Sequence, residues 1–399
     1  MTLSRLFAGK AILIMQSKIV ILLSTFLTIL IFSRNAPFKL GFENSAPTQI
    51  RISAVGDLMC HSPEYEYARA GKDSFNFNFI FNSVKPILEK SDFAVGNLET
   101  VLAGKEKKYS GYPKFNSPSQ FLDAVKDAGF DFLFTSNNHC LDRGKEGILS
   151  TLNQIKLRSL KSTGTFSSQK EKDSVQVIIL NGVKIVFLAY TQMLNGASLS
   201  KENSFLVNRI DTNNIRNDIS RAKKQDVDLV IVYFHFGEEY KREPVPYQRE
   251  IVKKTISAGA DIILASHPHV LERIETFKPV NSKLDTGFVA YSLGNFISNQ
   301  RWRYSDAGTI LNFTLEKDAA GNIMLKNIEI VPTWVFRGKV FTHQEFVVIP
   351  SAISLSDKPL FYLKPADLKK MKESFFDSRD ILLKNIKLDK SKISVGGQI

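Results

Sequence analysis

Cysteine is nearly absent from this chain, at two residues in 399. That excludes a disulfide scaffold and a cysteine-based zinc ribbon. The sequence contains no internal repeat. The body carries no basic stripe interleaved with aromatics, the footprint a nucleic-acid binder needs, so no nucleic-acid partner is expected. A full-length membrane run is also lacking. The longest apolar stretch, Ile19–Phe32, reads IVILLSTFLTILIF and stops short of the roughly 20 residues a span requires. No small-x-small cleavage motif follows it, only Ser33-Arg34-Asn35.

What is present is a chain that is 43% hydrophobic with a formal charge of +13, too apolar for a disordered protein. The excess charge gathers at the ends. Residues 1–48 hold five basic residues against Glu43, and residues 364–399 hold nine against five acidic. Basic ends point to a membrane surface or a polyanionic partner. Lys10 and Lys18 precede the apolar run, which favours an amino end inside and a body outside the membrane. Residues 1–40 are therefore expected to be a membrane anchor, with a cleaved signal as the alternative, and residues 41–48 a linker. A body is expected over 49–345, followed by a basic, helical extension over 346–399.

From Gln49 onward, short apolar runs alternate with amphipathic stretches, the pattern of an α/β fold with a β-rich end. Helices are expected near Phe79–Lys90 and over Ser117–Asp127, Gly147–Leu157, Asn213–Lys224 and Tyr247–Ala258. Asn181-Gly182 predicts a two-residue hairpin turn between Val175–Leu180 and Lys184–Tyr190.

The strand ends carry the chemistry. Successive apolar runs lead into Asp57 and His61, into Asn97 and Glu99, into Asn138 and His139, into His235 and Glu239, into His267 and His269, and into Asn295. Ligand sites in open α/β sheets lie beyond the carboxyl ends of strands, so these groups are expected to converge. Five of the six histidines sit at such ends, and only His343 lacks a companion motif. Imidazoles mixed with carboxylates and a side-chain amide suit Zn, Mn or Fe rather than Ca. Seven candidate ligands exceed one zinc centre, and two adjacent divalent ions would use them.

Gly56-Asp57, Gly96-Asn97-Leu98-Glu99, Asn137-Asn138-His139 with Asp142, His235-x-Gly-x-Glu239, His267-Pro268-His269 and Gly294-Asn295-Phe296 together resemble the CapA family. These are capsule or poly-γ-glutamate biosynthesis proteins related to calcineurin-like metallophosphoesterases. The resemblance covers about residues 50–300. It implies a two-sheet αββα sandwich flanked by helices and a metal-dependent hydrolase. Position by position, it implies metal ligation by Asp57, Glu99, Asn138, His235, His267 and His269, with His139 as a non-ligand acid. The superfamily's Asp-x-His histidine is replaced here by Met59, and His61 lies two residues further on. Asp142 is expected either to orient His139 or to cap the following helix. Asn97, Glu239 and Asn295 are expected to serve the substrate or to support the ligands.

The resemblance implies an anionic polymer or its precursor as partner, alongside other capsule-synthesis membrane proteins. Two further functions stay open: a non-catalytic assembly or export factor, and a metal-dependent amide hydrolase acting on γ-glutamyl polymer. Cys60 and Cys140 each neighbour a site histidine and read as buried small residues, a disulfide being the lesser alternative.

Overall fold

The computed structural model describes residues 47–396 except 385. The described residues form one compact unit. The anchor or signal expected over 1–40 lies outside the described residues. Among those described, no helix is long and apolar enough to cross a membrane.

Two sheets carry the fold, with strands numbered in chain order. The first runs β14 (His343–Pro350), β13 (Ile323–Val340), β12 (Ala307–Lys317), β1 (Thr48–Leu58), β2 (Phe93–Leu98), β3 (Phe132–Phe134) and β4 (Lys161–Thr163); β11 (Asn295–Ile297) also pairs with β1, and β15 (Ile393–Val395) with β13. The second runs β5 (Val177–Leu180), β6 (Val183–Thr191), β7 (Leu229–His235), β8 (Ile262–Ser266), β10 (Gly287–Leu293) and β9 (Leu271–Phe277). β1 to β4 pair in parallel, as do β6, β7, β8 and β10. The inner strands of these are covered on both faces and read as unbroken apolar runs; every residue of β7 is buried.

Apolar side chains from both sheets meet in one core, including Ile52, Val95, Phe134, Phe187, Ile231 and Leu264. Phe134 and Tyr233 stack across it, with centroids 4.3 Å apart and planes 5° from parallel. Helices α1 (Gln120–Asp127) and α2 (Gly144–Leu157) cover the outer face of the first sheet, and α3 (Thr212–Lys223) and α4 (Pro246–Ala258) that of the second. This is the helix-flanked, two-sheet sandwich that the sequence predicts.

Several expectations change in detail. The helix expected near Phe79–Lys90 is two separate single turns, Asn78–Phe81 and Lys85–Leu88. Pro86 enters at the start of the second, where proline is tolerated, but a proline cannot sit inside one continuous helix. The Asn181-Gly182 turn forms with both φ values positive, joining β5 and β6 at Leu180↔Val183. The basic tail forms α5 (Pro365–Leu382), which packs on β13, β9 and β12. A boundary at 345 falls inside β14.

Candidate metal centre

Residues at the carboxyl ends of β1, β2, β3, β7 and β8 come together, so both sheets contribute. Asp57 lies near the end of β1, just past a break in its register with β2 between Ala54 and Asp57. Asp57 N–H donates to Gly294 O at 3.0 Å. A Cβ on Gly56 would come within 1.9 Å of that same oxygen, so the close approach that sets Asp57 requires glycine here.

Asp57, Glu99 and His235 each offer a ligand atom within 4.8 Å of the others, and all three side chains are fully buried. His235 Nε2 lies 2.8 Å from Asn138 Oδ1, 3.4 Å from Glu99 Oε1 and 3.2 Å from His267 Nδ1. His269 Nδ1 lies 3.2 Å from Asp57 Oδ2 and 3.1 Å from Asn295 Oδ1. Asn97 Nδ2 donates to Asp57 Oδ1 at 2.8 Å, and Asn137 Nδ2 donates to Asn97 Oδ1 at 3.1 Å. Asn295 is itself fixed, its Nδ2 donating to Ser305 O at 2.9 Å.

The electrostatics fit a cation. Glu99 Oε1 is buried and completes no hydrogen bond, and Asp57 Oδ2 meets only the His269 ring, an expensive arrangement unless a positive group joins them. Burial, and then the neighbouring Asp57 charge, hold Glu99 well above the usual carboxylate range. Burial also raises Asp57, but the facing His269 and His235 imidazoles outweigh it and bring the carboxyl below its ordinary value. Burial, reinforced by the neighbouring imidazoles, pushes His235 well down and His267 down to about 3. Neutral imidazoles beside crowded carboxylates are what a divalent transition metal binds.

His267 and His269 reach the centre from a turn beyond β8. β8 ends at Ser266, and both histidines have positive φ, 108° and 56°. The turn, rather than strand alternation, aims their rings. Backbone held in that region costs free energy and is typical of sites whose geometry matters.

His139 sits beside this cluster. Its Nδ1 is 2.8 Å from Asp142 Oδ2, which also accepts the Phe115 N–H at 2.7 Å. Asp142 therefore orients His139. It makes no cap on α2, whose first turn has no side-chain cap. His139, His269, Met59, Glu239 and His61 line one cleft of about 330 Å³. His61 stands on its wall. The Asn299 N–H donates to His61 Nδ1 at 3.3 Å, and Glu64 Oε1 lies 3.6 Å from the same nitrogen. Cys60 and Cys140 are both buried free thiols.

The sequence pattern left several groups unassigned. Asn195 bridges the two halves of the site: its Oδ1 accepts from Asn138 Nδ2 at 3.1 Å, and its Nδ2 lies 3.4 Å from the His139 ring. It follows the end of β6, so the strand-end rule that located the other groups would have found it. Tyr112, Gln300 and Trp302 also line the cleft, and they lie in loops with no local signal.

Residues 51–300 match the family model described as bacterial capsule synthesis protein PGA_cap. The chain is 33% identical over 288 residues to the PGA biosynthesis protein CapA of Bacillus subtilis, covering 70% of this chain and 72% of that protein. It is 31% identical over 275 residues to the capsule biosynthesis protein CapA of Bacillus anthracis, covering 67% of this chain and 64% of that one. It thus spans a little under two thirds of the latter's length. Solved structures similar to it include the Haemophilus influenzae NAD nucleotidase (TM-score 0.45, 14% identity, 86% of this chain and 57% of that one). A Bacillus subtilis calcineurin-like phosphoesterase overlaps as well (TM-score 0.40, 12% identity, 84% and 98%). Overlaps that loose carry no inference about this chain's chemistry.

Proposed function

This chain belongs to the bacterial capsule synthesis protein PGA_cap family, and we propose that it is a metal-dependent hydrolase of phosphoester bonds, working on an anionic capsule polymer or its precursor. The observation that carries this is the buried convergence of Asp57, Glu99 and His235 ligand atoms, with Glu99 Oε1 left without a hydrogen bond, next to an oriented His139. Asp57, Glu99, Asn138, His235, His267 and His269 would hold two divalent ions of Mn, Zn or Fe. Such ions, when bound, neutralise phosphoryl charge and supply a hydroxide at neutral pH.

The chain's own groups do the rest. Asn97 and Asn295 hold Asp57 and His269 in place through their hydrogen bonds. Asp142 fixes the Nδ1 side of His139, which leaves Nε2 to give a proton to the leaving oxygen. The buried floor keeps bulk water from the carboxylates.

Residues 1–40 would anchor the body on the outer side of the membrane, beside other capsule-synthesis membrane proteins. On that arrangement the full-length chain fractionates with membranes and external protease reaches its body. Recovery in the soluble cytosolic fraction would contradict it.

The deciding experiment measures metal content and phosphodiester turnover in purified protein. His139→Asn should keep metal and folding while turnover drops about 10²–10⁴-fold. Glu99→Ala should lose both metal and turnover. A stable, metal-loaded His139→Asn protein with undiminished turnover would return the protein to the non-catalytic assembly class.

A further inference from the structure

We propose that the part of the substrate lying across the cleft mouth is a sugar ring, so that the centre serves a glycan phosphoester or its sugar precursor. The proposal rests on the hydrolase reading only for where the phosphate goes. Three exposed aromatic side chains rim this one polar cleft: Tyr112 at 74% exposure, Trp302 at 51% and Tyr240 at 42%. Single exposed aromatics are ordinary surface, but several around a concave polar site mark a binding face.

Their geometry selects the ring type. Tyr240 and Trp302 touch at 5.4 Å between centroids with planes 58° apart. That contact leaves no parallel slot to clasp a flat base on both faces. It forms an angled platform for a one-sided stack. A pyranose presents weakly positive C–H groups on one face, which complement the negative face of an aromatic ring. Its hydroxyls ring the edge, where Glu239, Asn299 and Gln300 line the same cleft.

Charge points the same way. Among the described residues lining the cleft, none is lysine or arginine, and Glu239 adds a carboxylate. A chain bearing a carboxylate on every unit meets no cationic lip here. A sugar phosphoester carries its charge at the phosphate, over the centre itself. Three of the four basic groups lining the neighbouring groove of about 550 Å³ are already engaged, Lys241 being the exception. Arg273 and Lys384 pair with Glu243, and Arg242 stacks on Tyr304 at 4.1 Å.

The chain has two tryptophans, and Trp334 is buried with its Nε1 donating to Asp306 at 2.8 Å. Ligand-induced changes in tryptophan emission therefore report Trp302. Mn-loaded full-length protein would be titrated with N-acetylglucosamine 1-phosphate, a γ-linked glutamyl pentapeptide and inorganic phosphate. The sugar phosphate should shift the emission, and the peptide should not. By calorimetry, Trp302→Ala and Tyr240→Ala should each weaken sugar-phosphate binding about tenfold. Inorganic phosphate affinity and metal content should stay unchanged. Sugar-phosphate binding without any hydrolysis would support the ring assignment while removing the hydrolase reading. A peptide that shifts the emission where the sugar phosphate does not would overturn the proposal, as would parental affinity in both variants.

Discussion

One oxygen of Asp142 accepts from the Phe115 backbone and faces His139 Nδ1, so the loop that carries Phe115 and the acid are held by the same atom. Asp142→Asn keeps the shape and removes the charge. Turnover should fall about 10- to 100-fold with metal content unchanged, the usual size of an outer-partner loss. Equal turnover would mean that His139 needs no partner. Glu272, beneath the His235 loop, is a different case. It is buried, with one oxygen unpaired and the other accepting from Gln248 Nε2 at 2.7 Å. Burial pushes its carboxyl up to about 8, against the Gln248 bond, which lowers it. Between the ordinary value near 4.5 and 8, the folded chain keeps a proton that the unfolded chain has lost. Stability should therefore fall as pH rises through that window and level off above it. Glu272→Gln removes the titration, so its advantage in Tm over the parent should grow from pH 5 to pH 8. A constant difference across that range would show Glu272 ionised in the fold.

At the scale of elements, α5 tests whether the tail is part of the body. Met371 is fully buried among Trp334, Phe336, Val347 and Ile349. Met371→Ala should cost about 2–5 kcal/mol in denaturant unfolding. An unchanged midpoint would mean a tail that merely rests on the surface. Legibility in the sequence followed burial. The inner parallel strands are covered on both faces, so their apolar runs announced β1, β2, β3, β7, β8 and β10, and with them the ends where the site sits. β4, β9, β11, β14 and β15 went unseen because short or one-sided strands carry weak periodicity. Of the site, Asp57, Glu99, Asn138 and the histidines were legible from position alone. The positive φ of His267 and His269 was not, since it depends on a turn fixed by tertiary contacts, and neither were Tyr112 and Trp302, which only folding brings to the cleft.

At the scale of the molecule, the proposed centre should make stability depend on ions. Metal that binds the folded chain alone stabilises it by mass action. Chelation should lower Tm and Mn²⁺ should restore it, while an Asp57→Ala/Glu99→Ala double variant should respond to neither. A parent indifferent to both treatments would leave the centre without an ion. The two sheets share the site: Asp57, Glu99 and Asn138 follow strands of the first, and His235, His267 and His269 those of the second. Asn138 and His235, 2.8 Å apart in space, are 97 residues apart in the chain. Contacts of such separation close late, after loop entropy has been lost. An ion held there would find its cradle only once both layers have docked. Its stabilisation would belong to the native side of the barrier, slowing unfolding and leaving the rate of folding nearly as it was.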